Sequence, residues 1–304
     1  MYKVSILMNC YNCEKYLKES IDSVYVQTYK NWEIIFIDNC STDKTKEIVK
    51  SYDARIKYYK TPKNMSLCSA RVFAKDFIDG DYFCVLDTDD LWMSDKLEKQ
   101  VDIMNQNQDV GIVYSNTIYF TDSGDERLAY NSIMPEGNLF KSLLESYFFS
   151  FETVMVRKSL MDEKNIYFDK QYNVSSDAEF FIRLSYFTKC LYINEPLAKW
   201  RYGHGSESDK SICLFPQEYE ILLIELSKII DDFDAKYKDS IDILNSKINN
   251  MYGICHWSKN DKSEARKYFL KAIKFNIIYI VPWIISFFTD YKNYVSLRKK
   301  FKKI

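Results

Sequence analysis

Short apolar runs alternate along the first two hundred residues with stretches whose apolar positions recur at helical spacing. Residues 4–8 form a run of the first kind, and Leu17, Ile21 and Val24 a stretch of the second. An apolar run of about four to eight residues bounded by turn signals reads as a buried strand, and an i, i+4, i+7 recurrence as one face of a helix. The same test predicts strands over residues 32–37, 56–59 and 82–86. It places helices on Ile48, Val49 and Tyr52 and over residues 66–78. Strands alternating with helices require crossover connections, so the fold class is α/β with a mostly parallel central sheet.

The pattern continues less regularly. A helix is predicted beyond Lys96, a long apolar stretch over 110–120, a loop over 124–137 and a strand over 151–156. A helix follows from Ser159, another over 180–187 behind Ser175-Ser176-Asp177, and a short strand over 191–193. Trp200-Arg201-Tyr202-Gly203-His204 reads as a polar loop. From about residue 211 only long helical periodicities remain. The expected division is an α/β domain over 1–208 and a helical domain over 209–304.

Ligands of open α/β sheets bind outside the carboxyl ends of the strands. Three polar clusters fall at such ends: Asn9-Cys10-Tyr11-Asn12, Asp38-Asn39, and Asp87-Thr88-Asp89-Asp90. The last puts three carboxylates within four residues, directly after an apolar strand. Crowded carboxylates repel one another unless a cation is shared, and hard oxygen ligands suit Mg²⁺ or Mn²⁺ together with substrate phosphates. An acidic turn after a strand is the plainer reading of the same string.

Composition narrows the classes. The 304 residues are 47% hydrophobic, ample for a core, and the net charge of −1 provides no basic field for nucleic acid. Met1-Tyr2-Lys3 runs straight into the first strand, with no secretory signal ahead of it, which points to a cytoplasmic protein. The eight cysteines are scattered, several of them in apolar runs (Cys84, Cys190, Cys255), and are expected as buried thiols rather than a disulfide framework. Cys10 and Cys13 have the spacing of half a zinc site or a redox motif, but no second pair accompanies them. No apolar run reaches the ~18 residues of a membrane span. The nearest, 277–288, is interrupted by Pro282 and followed by Arg298-Lys299-Lys300 and Lys302-Lys303. An apolar helix with a cationic end suits an anionic membrane surface, and equally a terminal helix packed into a core.

Several short strings occur together in a known order. They are Val4-Ser5-Ile6 with Tyr11-Asn12, Gln27-Thr28-Tyr29, Glu33-Ile34-Ile35, Ser41-Thr42-Asp43, Ala70-Arg71 and Leu86-Asp87-Thr88-Asp89-Asp90. In order and spacing they resemble the family 2 glycosyltransferases, over about residues 2–208. The resemblance implies the GT-A nucleotide-diphospho-sugar transferase fold and an inverting, metal-dependent transfer of a sugar to an acceptor hydroxyl. It implies that Asp89, helped by Asp87 or Asp90, holds Mn²⁺ or Mg²⁺ on the donor diphosphate. Asn9, Cys10, Tyr11, Asp38, Asn39, Arg71, Asp87 and Thr88 are then expected around the donor nucleotide, with Tyr11 against the base and Asp38 and Asn39 at its polar edge. Each has a purely structural reading too: a Tyr packed at a strand end, an Asp capping a helix, an Arg in an ion pair.

The resemblance also supplies a base. Ser176-Asp177-Ala178-Glu179 through Arg183-Leu184 matches a family string in which an acidic residue lies six positions before an Arg-Leu, so Asp177 is the candidate and Glu179 the reserve. Arg201 and His204 resemble a loop that closes over the donor phosphates or metal. Three departures stand out: Asn9 replaces a usual Pro, Asn39 a usual Asp, and Ser176 a usual Glu. Likeness to UDP-using relatives points to a UDP-sugar donor, and the acceptor is expected to be a glycan or lipid-linked glycan at the cytoplasmic membrane face.

Tyr252-Gly253, Ala265, Tyr268-Phe269, Ala272 and Pro282 resemble one tetratricopeptide-type hairpin, which needs neighbours to bury its face. A homodimer contact, peripheral membrane contact or plain packing would each provide them. A sugar-nucleotide-binding protein without catalysis, or a scaffold of a glycan assembly complex, is the alternative from another class.

Overall fold

The computed structural model describes residues 1–203 and 211–301. The chain forms two compact units, Met1–Phe140 with Tyr147–Gly205, and Lys141–Ser146 with Ser206–Ile304.

Among the described residues the first unit contains a nine-stranded sheet. Its strands are β1 (Val4–Cys10), β2 (Trp32–Asp38), β3 (Ile56–Lys60), β4 (Tyr82–Val85), β5 (Leu91–Trp92), β6 (Val110–Phe120), β7 (Glu126–Leu128), β8 (Met155–Arg157) and β9 (Lys189–Arg201). The order is β3-β2-β1-β4-β8-β6-β9-β5, with β7 paired to β6. Every residue of β1 and β2 is buried, as expected of strands covered on both faces. The helices of this unit are α1 (Leu17–Tyr25), α2 (Thr45–Lys50), α3 (Leu67–Phe73), α4 (Lys96–Gln106), α6 (Lys158–Lys164) and α7 (Ser176–Ser185), while α5 (Phe140–Glu145) belongs, from Lys141 on, to the second unit. Leu17, Ile21 and Val24 of α1 are fully buried in the core beside Ile6, Ile34 and Phe36, so the helical period read from the sequence is the packed face.

Register positions the site. β1 pairs in parallel with β2 from Val4–Trp32 to Cys10–Asp38, and with β4 from Val4–Tyr82 to Leu7–Val85. The amide of Leu86 then donates to the Leu7 carbonyl at 3.0 Å. The carboxyl ends of β1, β2 and β4 are therefore level, and the three polar clusters leave the sheet side by side. β1 lies between β2 and β4, so the strand order reverses there, which is where open α/β sheets place their ligands.

Several expectations are corrected. The central β3-β2-β1-β4 strands and the β6–β9 pair are parallel, as expected, but the sheet is mixed at its other pairs: β4–β8, β6–β8, β6–β7 and β5–β9 are antiparallel. Residues 151–156 are not one strand, because Phe151–Thr153 is a 3₁₀ turn ahead of β8. Trp200 and Arg201 are not in a loop but end β9, a 13-residue strand pairing with β6. The Glu195-Pro196 interruption, at a register irregularity opposite Ser115 and Asn116, hid its continuity. The helix predicted over 66–78 stops at Phe73, and Lys75–Phe77 continues as a 3₁₀ turn.

The second unit contains α8 (Phe215–Ile229), α9 (Phe233–Lys236), α10 (Lys238–Ser258), α11 (Lys262–Ile273), α12 (Ile280–Phe288) and α13 (Tyr291–Phe301). Trp257, Ala265 and Phe269 form its innermost cluster, with Trp283 and Ile285 packed against it. Gly253 on α10 lies so close to the Phe269 ring that a Cβ there would fall 2.4 Å from it; only glycine allows this approach.

The cysteine expectation holds for the buried thiols Cys84 and Cys190 and fails for Cys255. Cys10 pairs with Cys13 and Cys213 with Cys255 in disulfides, with Cα separations of 6.0 and 5.0 Å, within the reach of such bonds. Asn12 adopts a left-handed backbone (φ 54°) that turns the chain back between the first two. Cys40, Cys68, Cys84 and Cys190 are free. Apolar surroundings alone do not reveal which cysteines the fold makes neighbours.

Candidate active site

The turn after β1 is fastened to the turn after β2. The Asn39 amide donates to the Cys10 carbonyl at 2.8 Å, the Asn12 amide to the Ser41 hydroxyl at 2.9 Å, and the Thr42 amide to the Asn12 side-chain oxygen at 2.8 Å. The Cys13 amide reaches the Thr45 hydroxyl and the Glu14 amide the Asp43 carboxylate, at 3.1 and 3.0 Å. Ser41-Thr42-Asp43 thus holds the loop that presents Tyr11, whose ring is half exposed (53%).

Asp38 and Asn39 are both buried and already engaged. Asp38 accepts from the Ser41 amide at 2.7 Å and from the Tyr58 hydroxyl. Asn39 pairs with the Met65 backbone in both directions, donating at 2.8 Å and accepting at 3.0 Å. They shape the wall between the β2 and β3 ends.

Arg71 ties the remaining clusters together. It projects from α3, is 5% exposed, and lies 4.5 Å over the Phe151 ring. Its three nitrogens donate to three different elements: Nε to Asn9 Oδ1 at 3.3 Å, Nη1 to Ser176 Oγ at 3.0 Å, and Nη2 to Asp87 Oδ1 at 3.0 Å. A planar guanidinium alone offers such a fan of donors. Two of the departures from the family pattern, Asn9 and Ser176, are therefore partners of Arg71.

The carboxylates divide by environment. Enclosure in the cleft raises the Asp87 pKa; Arg71 opposes this, while the charges of Asp89 and Asp177 reinforce it. Asp89 is partly exposed. Asp90 is buried at 2%, accepts from the Arg201 amide at 2.8 Å, and is held well above the usual carboxylate range by burial and by Glu152, Asp89 and Asp87. Asp177, the second residue of α7, is also raised, first by burial, against hydrogen bonds and charge from the Ala178 amide, Arg71 and Tyr147. Asp177 is thus electrostatically coupled to Asp87 across the Arg71 hub. Glu179 is buried and paired with Arg183 one turn on, so the reserve base is committed within its own helix.

Arg201 is engaged by protein partners. Its guanidinium contacts Asp122 and Glu19, the latter at 2.7 Å, donates to the Asp89 carbonyl at 2.9 Å, and lies over Tyr16 and Phe120. It clamps the Asp89–Asp90 turn to β9. His204 lies outside the described residues. Thr88 is buried in that turn.

Among the described residues no group of three His, Cys, Asp or Glu side chains is arranged to hold a metal ion. Asp87 and Asp89 remain compatible with one: Mg²⁺ and Mn²⁺ take one or two protein carboxylates and complete their shell with water and phosphate.

The sequence profile of glycosyl transferase family 2 matches residues 5–164, just over half of the chain. The protein belongs to glycosyl transferase family 2. An Escherichia coli relative, the UDP-Glc:alpha-D-GlcNAc-diphosphoundecaprenol beta-1,3-glucosyltransferase WfgD, is 30% identical over 182 residues, 54% of this chain and 72% of its own. Five other curated glycosyltransferases are 29 to 44% identical, and the aligned region spans only 37 to 63% of their lengths. Among solved structures, S. aureus TarS 1–349 in complex with UDP-GlcNAc superposes with a TM-score of 0.67 at 17% identity, covering 89% of this chain and 81% of that one. The mannosyltransferase PcManGT from Pyrobaculum calidifontis, in complex with GDP-Man and Mn²⁺, gives 0.63 at 13%, covering 98% and 84%. Both share the fold, the GT-A arrangement with helices following the sheet.

Two buried charged residues at the site lie outside the motifs that mark family 2. Glu152, 3% exposed with one oxygen unpartnered, has its pKa pushed up to about 7, chiefly by burial. Lys96 is fully buried, donates to Gln100 Oε1 at 2.6 Å and lies 4.1 Å over the Trp92 ring. The one signal for Glu152 was a lone charge inside an apolar run.

Proposed function

We propose that this family 2 protein transfers a sugar from a UDP-sugar to a hydroxyl of a glycan or lipid-linked glycan, with inversion, using residues 1–208 as the catalytic domain. The observation carrying this reading is the convergence of Asp87 and Asp177 on Arg71, with Asp89 two residues on from Asp87, at the edge where β1, β2 and β4 end. The UDP-GlcNAc bound to TarS and the UDP-Glc and diphosphoundecaprenol in the WfgD name support donor and acceptor class.

In this reading Tyr11 offers its exposed ring to the base, and the Asp38–Asn39 wall bounds the nucleotide. Asp87 and Asp89 would hold Mn²⁺ or Mg²⁺, as the Mn²⁺ of the PcManGT complex suggests. Such an ion supplies Lewis-acid neutralisation of the departing diphosphate. Arg71 fixes Asp87 and, through Ser176, the first turn of α7. Asp177 then accepts the acceptor hydroxyl proton as that oxygen attacks the anomeric carbon from the face opposite the leaving group. Work at the cytoplasmic membrane face follows from a lipid-linked acceptor.

The test is transfer from α-linked UDP-glucose or UDP-GlcNAc to a synthetic GlcNAc-diphospho-lipid, with the product anomer assigned by NMR coupling constants. A β-linked product is expected. An α-linked product would rule out displacement with Asp177 as the single base.

A further inference from the structure

The second unit exposes an apolar face. Ile277 (67%), Ile278 (63%), Val281 (51%), Ile284 (43%) and Phe287 and Phe288 (48% and 84%) are all open to solvent. Val281, Ile284 and Phe288 follow the spacing of one face of α12, and Ile277 and Ile278 lie in the 3₁₀ turn just before it. In α12 only Pro282 and Ser286 are buried. The core-packed alternative for this segment therefore holds for Pro282 and Ser286, and for Trp283 and Ile285, which reach the Trp257 cluster. The stripe is also held in place: Arg266 of α11 donates to the Ser286 hydroxyl at 3.2 Å and its carbonyl at 3.0 Å, with its guanidinium 3.8 Å over the Phe287 ring. Six large apolar side chains on one short segment form a patch that marks an interaction surface.

Charge identifies what covers it. Of the 42 Lys and Arg in the chain, ten lie in residues 265–304, where only one of the 43 Asp and Glu lies, Asp290. That segment carries +9, and residues 1–264 carry −10. A net charge near zero thus conceals a chain divided by sign, an asymmetry suited to a polyanionic surface. A nucleic acid would satisfy the charge but leave Ile277, Ile284 and Phe288 in water. A second copy would bury the apolar stripe but set two +9 segments against each other. A bilayer with anionic headgroups satisfies both, since apolar side chains enter the acyl boundary while Lys and Arg remain among the headgroups. α12 has nine residues, far short of the ~20 a membrane span needs.

We propose that the face of 277–288, flanked by the cationic segment 265–304, docks the protein on anionic membrane surfaces, inserting Ile284 and Phe288 without crossing the bilayer. This goes beyond the transferase reading and does not depend on it.

The test uses the whole chain with sedimented vesicles of phosphatidylcholine alone or with about 30% phosphatidylglycerol, the mole fraction being chosen to give an appreciable negative surface potential. Binding is expected on the anionic vesicles, negligible on the neutral ones, and weakened about tenfold or more in 1 M NaCl, where screening is nearly complete. The double variant Ile284→Glu/Phe288→Glu alters only exposed positions and should lose binding to the anionic vesicles at least about tenfold, as expected when two inserted apolar groups become charged. Its UDP affinity, measured alongside, should match that of the parent, which separates this outcome from any failure of the transferase reading. Unchanged vesicle binding in the double variant would overturn insertion. Absence of binding to anionic vesicles, with light scattering showing a dimer that the double variant dissociates, would assign the face to a second copy instead.

Discussion

Asp177→Asn is expected to reduce kcat by about 10²–10⁴-fold, the range for removing a positioned general base. An Asn keeps the size and can still face the Ala178 amide and Tyr147, so the start of α7 should survive. It cannot accept a proton at neutral pH. UDP affinity should change by less than about twofold, because the lost interaction belongs to the transition state rather than to the donor ground state. The pH profile provides a second reading. Asp177 must be ionised to act, and enclosure raises its pKa above the ordinary value. Activity of the parent should therefore fall as pH drops through that raised value, and the variant's residual activity should lose this acid limb. If Asp177 served only the helix start, activity would fall in step with thermal stability and the acid limb would persist.

Arg71→Ala is expected to be the most damaging substitution to the first unit. It removes three hydrogen bonds at once and leaves Asn9, Ser176 and Asp87 without their common donor. Breaking a buried ion pair on one side costs about 3–5 kcal/mol. Asp87 is 37% exposed, so water compensates part of that loss, and about 2–3 kcal/mol is the fitting expectation. Urea unfolding followed by tryptophan fluorescence would read it as a lower midpoint with an unchanged slope. Arg71→Lys should recover only part, because an ammonium cannot reach three acceptors arranged as a planar fan. Both variants should also lose UDP binding, since the hub joins the β1, β4 and α7 ends of the site. A loss of binding without loss of stability would make Arg71 a ligand contact rather than a hub.

Much of this was legible in the chain because the first half obeys simple rules. Buried parallel strands read as unbroken apolar runs, so 4–8, 32–37 and 82–86 emerged with their polar ends, and those ends define the cleft. The motif residues were harder to assign. Gln27 does not touch the cleft: its amide donates to the Met93 carbonyl at 2.7 Å and its oxygen accepts from the Leu97 amide at 3.1 Å, joining the end of α1 to the start of α4. Glu33 accepts from Ser5 and pairs with Lys3 and Lys57. Such residues are bound to the fold, and one sequence cannot separate them from ligand contacts of the same chemistry. Arg201 illustrates this most clearly: the family resemblance sets it in a loop over the donor phosphates, and its three-dimensional neighbours also make it a clamp on the Asp89–Asp90 turn. The full length of β9 beyond 191–193 and the two disulfides are not legible for a related reason: both depend on partners far away or on a turn that local periodicity does not encode.

The central claim is that the edge formed by β1, β2 and β4 is a nucleotide-diphosphate site completed by a divalent cation at Asp87 and Asp89. Calorimetric titration of UDP, GDP and dTDP into the protein, with Mn²⁺ and then with EDTA, tests it most directly. UDP should bind in preference to the other two, the binding should vanish on chelation, and Asp89→Ala should abolish it while leaving the thermal unfolding midpoint near that of the parent. Binding of no nucleotide in the presence of Mn²⁺, or UDP binding indifferent to both EDTA and Asp89→Ala, would contradict the account.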